Sequence, residues 1–324
     1  MQIEQRGAMP AGGRRPAWRA WIIATRPHTL TISINPVLVG CALVWAETGR
    51  INLPLMLACM LGALLLQLGA NLDNDVSDFE RGTDRAGRLG LPRATQLGLL
   101  SPVQVRTASR ACFLLATVIG LALAWRGGWP ILLLGVMAAT AAMAYSGGPR
   151  PISYTPFGDL MVLFFFGFVA VGGSYYLQTL NWTAGLLAVA AMVGLPATAV
   201  LVVNNYRDLE PDRQVGKRTL AVWLGPAFSR WEYAVLMLLP YALLAQLALL
   251  APHGKAAWSL LIPLLTPAAG AVPGAPALAR NHRPGLQPPA GAHGAVPGAV
   301  LAAAVRGDPA ELIDLTCPGP LRTP

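Results

Sequence analysis

Two short stretches of the chain hold nearly all of its acidic chemistry. From Asn71 to Gly98 the sequence reads NLDNDVSDFERGTDRAGRLGLPRATQLG, gathering Asp73, Asp75, Asp78 and Asp84 with Arg81, Arg85, Arg88 and Arg93. From Asn204 to Gly225 it reads NNYRDLEPDRQVGKRTLAVWLG, with Asp208 and Asp212 among Arg207, Arg213, Lys217 and Arg218. Seven aspartates precede residue 267, and six of them lie in these two stretches. Asp75 and Asp78 are three apart and Asp208 and Asp212 four apart, a spacing that projects each pair from one face of a helix end. Hard carboxylate oxygens suit Mg²⁺, which keeps several waters and bridges a few carboxylates to substrate phosphates. The surrounding arginines suit the remaining phosphate oxygens, which guanidinium groups can bind in bidentate fashion. The pattern reads as one metal-and-phosphate site built from two halves. The plainer alternative, solvated loops with mutual salt bridges, does not explain why the arrangement occurs twice.

The elements that position these residues must be apolar. The 324 residues are 54% hydrophobic and only 12% charged, with a mean hydropathy of +0.51. Soluble domains carry about 25% charged residues, so the composition is that of a membrane protein. The net charge of +9 does not call for nucleic acid, because basic residues also collect on the inner side of membrane proteins, and no interleaving of aromatic and basic residues suggests RNA or DNA. Cys41, Cys59, Cys112 and Cys317 stand singly, with neither a metal-ligand nor a disulfide pattern.

Segments long enough to span a bilayer, about 17–25 residues, are expected near 28–46, 53–72, 107–125, 129–146, 159–178, 184–203, 231–250 and from 257 to 266 onward. Pro54 and Pro130 fall in opening turns, where proline is tolerated, and Pro196 is expected to kink a buried helix. Threading alternately from an inside N-terminus puts 17 Lys and Arg on one side before residue 267, against Arg50, Arg126 and Lys255 on the other. That asymmetry places both Asp-rich stretches on the cytoplasmic face. Each follows an even-numbered helix, four helices apart, which suggests two four-helix pseudo-repeats. The expected fold is therefore an all-α, polytopic transmembrane bundle of about eight helices. It follows a cytoplasmic N-terminal segment over residues 1–27, in which Trp18 and Trp21 suit an interface. The transmembrane domain covers 28–266 and a Pro/Gly-rich tail covers 267–324. The last 58 residues hold 11 prolines and 8 glycines, a density that forbids a spanning helix. This vocabulary is what GC-rich coding DNA gives when read out of frame, so a frameshift near codon 266 is expected, with a native disordered tail as the alternative.

NDVSDFERGTD, RLGLPRATQLG and NNYRDLEPDRQVGKRTLAVWLG together resemble the two signature regions of the UbiA-type intramembrane prenyltransferases. ATRPHTLTISINPVLVG (24–40), YSGGPRPISYTPFGDL (145–160) and FFGFVAVGGSYYLQT (165–179) resemble its menaquinone-synthesising branch. The resemblance covers about residues 18–266 and implies a nine-helix membrane fold and Mg²⁺ as cofactor. It further implies a polyprenyl diphosphate donor and 1,4-dihydroxy-2-naphthoate as acceptor, prenylated with decarboxylation at the plasma membrane. It implies metal ligation by Asp75, Asp78, Asp84, Asp208 and Asp212, with Lys217 beside them in catalysis. Substrate contacts are implied for Arg81, Arg85, Arg88, Arg93, Arg207, Arg213 and Arg218, and for Arg150 in the YSGGPRP stretch. Asn71, Asn74, Asn204 and Asn205 would supplement the metal ligands or bond the diphosphate. Tyr145 and Tyr206 stand as candidates near the acceptor, interface anchoring being the alternative. His28 stands where the family usually has Lys, making the charge there pH-dependent, and GLPR at 90–93 replaces the usual GPxR. Asp73 falls outside the matched pattern, and Asp159 reads as a helix cap. A prenyltransferase for 4-hydroxybenzoate or homogentisate is the nearest alternative. A transporter would instead carry its polar residues at mid-membrane depth.

Overall fold

The computed structural model describes residues 17–82 and 93–250. The tail, the expected span at 257–266, and Asp84, Arg85 and Arg88 lie outside the described residues. Within them, regular structure is helical and comprises eight helices: α1 (Ala17–Thr25), α2 (Pro27–Thr48), α3 (Leu53–Glu80), α4 (Pro102–Ser146), α5 (Gly158–Thr179), α6 (Ala184–Arg207), α7 (Leu209–Gln214) and α8 (Leu220–Leu250). Five of these, α2 to α6, are long and apolar enough to cross a membrane.

The helix starts follow local chemistry. Asn52 caps α3 by accepting the Leu55 N–H at 3.1 Å. Ser101 and Gln104 form a reciprocal capping box at the start of α4, each bond satisfying an N–H that has no partner within the helix. Pro54 and Pro102 occupy opening turns, where their missing N–H costs nothing.

Helix α4 resolves the two spans expected at 107–125 and 129–146. Its 45 residues would measure about 67 Å if straight, roughly twice a bilayer core. The break comes at Gly128, whose φ of 71° and ψ of −162° lie outside the helical region, a conformation that glycine adopts without a Cβ clash. Both ends of α4 return to the same end of α3. Arg106 pairs with Glu80 at 2.5 Å, and Arg81 donates to the carbonyls of Ser146 and Gly148 at 2.6 and 2.7 Å. The two legs are therefore antiparallel, and the crossings that carry the two Asp motifs, α3 and α6, are four apart as expected.

Two boundaries differ from expectation. Helix α3 runs to Glu80 rather than ending near residue 72, and α6 runs to Arg207. The acidic motifs thus begin as the last turns of spanning helices, because their polar side chains point into the protein rather than at lipid. Helix α6 also continues through Pro196.

Close packing of α5 on α6 depends on a glycine pair. A Cβ on Gly167 would lie 2.7 Å from the Ala190 carbonyl, and one on Gly194 would lie 2.8 Å from the Leu163 carbonyl. Gly167 belongs to a π-helical stretch, Leu163–Val169. Small residues of this kind let helix backbones approach where lipid supplies no hydrophobic drive. Large side chains elsewhere face outward: Trp45, Trp125, Trp129 and Trp182 are exposed at one end of the bundle, Trp18 and Trp223 at the motif end. Such aromatic residues mark the two interfaces of a membrane.

Candidate active site

The first half of the site is built on one face of α3. Asn74 and Asp78, one helical turn apart, line a cavity of about 650 Å³, with Gln67 and Asn71 further along the same face. Asp78 is buried and pairs with the buried guanidinium of Arg93 at 2.5 Å. Arg93 also donates to the Asn74 carbonyl at 2.6 Å.

Asp75, expected on the same face as Asp78, points elsewhere. It is 1% exposed and does not line the cavity. Its two carboxylate oxygens accept the backbone N–H groups of Ala94 and Thr95 at 3.2 and 3.3 Å. Ala94 packs with Leu72, Val76, Leu100 and Val105 against Ala20 and Ala24 of α1. Asp75 therefore anchors the turn that delivers Arg93.

The second half lies where α6 meets α7. Asp208, between the two helices, is gripped by Arg207 through two bonds of 2.8 Å. The chain then turns back at Gly216, whose φ of 77° suits a residue without a Cβ. This brings the Lys217 ammonium to 3.0 Å from Asp212. Asp208, Asp212, Arg207, Lys217, Asn204 and Asn205 all line the cavity. Three acid–base pairs, one from the first motif and two from the second, thus face one space. Pairing of this kind offsets the desolvation of buried charge.

Two sets of contacts brace the site. Asn71 donates to the Thr25 carbonyl at 3.0 Å and the Thr29 hydroxyl at 2.8 Å, and accepts from Gln67 at 3.1 Å. Its amide is thereby committed to fixing the α1–α2 elbow. At that elbow Arg26 adopts φ 50°, ψ 67° and lines the cavity with His28. The 147–157 segment makes the other set. The Tyr154 carbonyl accepts the Arg218 N–H at 2.9 Å, while its ring lies under both the Arg81 guanidinium and the Lys217 ammonium.

Other expected residues divide clearly. Tyr145 lines the cavity beside Ser153, whereas Tyr206 does not. Arg81, Arg150, Arg213 and Arg218 are exposed and off the cavity wall, Arg213 pairing with Glu210 at 3.3 Å. Among the described residues, Asp73 and Asp159 each keep one buried carboxylate oxygen without a hydrogen-bond partner, and neither lines the cavity. Arg26, Ser153 and Tyr154 were not singled out from sequence; each is a lone residue, without a paired spacing to mark it.

The donor set fits a hard divalent cation. The buried Asn74 Oδ1 has no hydrogen-bond partner among the described residues and sits one turn from Asp78. Asp208 and Asp212 supply further oxygens across the cavity. Among the described residues no three His, Cys, Asp or Glu side chains form a ready metal cage. Mg²⁺ needs only one or two carboxylates per ion, together with water and substrate phosphate.

Away from this end the cavity becomes apolar. Its wall there is made by the second leg of α4, including Leu134 and Ala138, and by Phe165, Phe166 and Val169 of the π-helical stretch in α5. The molecule is thus a multi-pass membrane protein with an acid–base cluster at the head of a greasy cavity. Residues 33–285 match the UbiA prenyltransferase family, and the chain belongs to it. It is 36% identical over 255 residues to the 1,4-dihydroxy-2-naphthoate octaprenyltransferase of Escherichia coli (strain K12), covering 76% of this chain and 82% of that protein. To the protein of the same name from Mycobacterium leprae (strain TN) it is 37% identical, covering 67% of this chain and 73% of the relative. Among solved structures, a UbiA homolog from Archaeoglobus fulgidus bound to GPP and Mg²⁺ superposes with a TM-score of 0.60 at 17% identity, covering 76% and 82% of the two chains. That likeness is one of fold.

Proposed function

We propose that this protein transfers a polyprenyl group from polyprenyl diphosphate to 1,4-dihydroxy-2-naphthoate, with loss of the carboxylate as CO₂, to give a demethylmenaquinol, the reduced form of demethylmenaquinone. The observation that carries the reading is the set of three cavity-facing acid–base pairs, Asp78–Arg93, Asp208–Arg207 and Asp212–Lys217, at the head of an apolar cavity. The curated relatives that bear this activity in their names support the choice of acceptor.

Arg93, Arg207 and Lys217 offer their charges to the diphosphate oxygens, and Asn74, Asp78, Asp208 and Asp212 would hold Mg²⁺. When bound, Mg²⁺ supplies Lewis-acid stabilisation of the charge that develops on the departing diphosphate. As the allylic C–O bond breaks, the same three cations retain the leaving group electrostatically. The apolar wall, with Phe165 and Phe166, accommodates the prenyl chain and excludes water that would capture the carbocation. An electron-rich ring carbon of the acceptor then forms the new C–C bond. Asp84, outside the described residues, extends the first motif and is assigned to the same metal. The motif end faces the cytoplasm of the plasma membrane, in keeping with the basic residues gathered there.

The test is membranes containing the protein, a labelled polyprenyl diphosphate and Mg²⁺, offered each acceptor separately. Label in a decarboxylated naphthoquinol is the expected result. Transfer to 4-hydroxybenzoate with no naphthoate product would move the protein to a different branch of the family.

A further inference from the structure

We propose that Tyr154 is a positioning residue that holds Lys217 at the cavity and ties the two halves of the site together through the face of its ring. The inference rests on the reading of Lys217 as a diphosphate contact. The Lys217 ammonium lies 5.1 Å from the ring centroid and the Arg81 guanidinium 5.5 Å from it. Both are within the range at which the negative face of an aromatic ring attracts a cation. Arg81 follows the first Asp motif and Lys217 follows the second, so one side chain draws together cations from both.

The backbone around the ring is fixed from three directions. The Tyr154 carbonyl accepts the Arg218 N–H, and the Tyr154 N–H donates to the Pro151 carbonyl at 3.0 Å. Arg81 is itself held by the Ser146 and Gly148 carbonyls, at the start of the same segment. The phenolic oxygen, by contrast, is buried and has no hydrogen-bond partner among the described residues. Tyr154 is therefore used for its ring and not for its hydroxyl. Ser153 lines the cavity and Tyr154 does not, so the ring acts on substrate through Lys217.

The physical role is one of restraint. A lysine side chain carries four rotatable bonds and loses considerable rotamer freedom when held in one place. Asp212 at 3.0 Å fixes the ammonium on one side, and the Tyr154 ring beneath it keeps the side chain only 12% exposed. With an aliphatic residue at 154, the ammonium keeps Asp212 but loses the ring, and it spends more time pointing into solvent.

Steady-state kinetics on the intact protein test this. Tyr154→Leu is expected to raise KM for the polyprenyl diphosphate about three- to tenfold, the range set by one or two partly desolvated cation–ring contacts. KM for the aromatic acceptor should not change. Tyr154→Phe should restore the diphosphate KM to within about twofold of wild type, since only the ring face is needed. Combining Tyr154→Leu with Lys217→Met should add little to Lys217→Met alone, because residues acting through one another are non-additive. If Tyr154→Leu yields too little folded protein, Tyr154→Trp serves instead, with a KM equal to or below that of wild type. An unchanged diphosphate KM in Tyr154→Leu, an equal defect in Tyr154→Phe, full additivity with Lys217→Met, or a raised diphosphate KM in Tyr154→Trp each overturns the proposal. If the wild-type protein does not prenylate the naphthoate, the acceptor assignment fails first. The inference is then read from binding of inorganic pyrophosphate with Mg²⁺ to the purified protein, which Tyr154→Leu should weaken by a similar factor; unchanged pyrophosphate binding overturns it.

Discussion

Asp75 and Asp78 stand one helical turn apart on α3, yet Asp78 faces the cavity and Asp75 faces the backbone of residues 94 and 95. The two carboxylates are not interchangeable. Asp78→Asn, Asp208→Asn and Asp212→Asn are each expected to lower turnover at least about a hundredfold, because loss of a metal-holding carboxylate costs several kcal/mol of transition-state stabilisation. Full activity in any two of these variants, at equal protein level, would dismantle the shared-site reading.

Asp75→Ala should behave differently. It leaves the Ala94 and Thr95 N–H groups buried and unsatisfied, at a cost of about 1–3 kcal/mol each. Its signature is a lower unfolding temperature in detergent and weaker diphosphate binding through a displaced Arg93. Its half-saturating Mg²⁺ concentration should match wild type; a large increase in that value would return Asp75 to the metal.

Removal of divalent ions gives a third expectation. Chelation should stop turnover, and Mg²⁺ should restore it while Ca²⁺ does so poorly, because Ca²⁺ prefers more and longer oxygen contacts than this donor set offers. Activity undiminished after exhaustive chelation would remove the metal from the mechanism.

Asn71 and the α5–α6 contact test the scaffold. Asn71→Ala cuts the bonds to Thr25 and Thr29 and is expected to destabilise the protein by about 1–3 kcal/mol, read as a fall in unfolding temperature. Gly194→Leu forces a side chain against the Leu163 carbonyl and the Gly167 Cα, an overpacking that typically costs about 1–3 kcal/mol or more. A Gly194→Leu protein as stable as wild type would mean that α5 and α6 can separate freely.

Much of this was legible in the sequence. Long apolar segments gave away the spanning helices, and the paired Asp motifs pointed to both halves of the candidate site. Hydropathy failed where polar side chains face a cavity, which is why α3 outran its expected end by two turns. Spacing alone could not tell Asp75 from Asp78, because the difference is set by the amides of residues 94 and 95, distant in sequence. Nor could spacing show that Asn71 braces the α1–α2 elbow, because its partners Thr25 and Thr29 lie more than forty residues upstream. Arg26 and Tyr154 carry no repeat or pairing to announce them; only the folded chain brings them to the site.

The break at Gly128 bears on how the chain is made. Its two legs meet through a single non-helical residue, so the cell's insertion machinery receives residues 102–146 as one hairpin, with no connecting loop to hand across first. At that end there is no slack in which to seat a reporter tag. The 147–157 segment at the opposite end is long enough for one, but it carries Tyr154, so a tag placed there would report topology from a disabled enzyme.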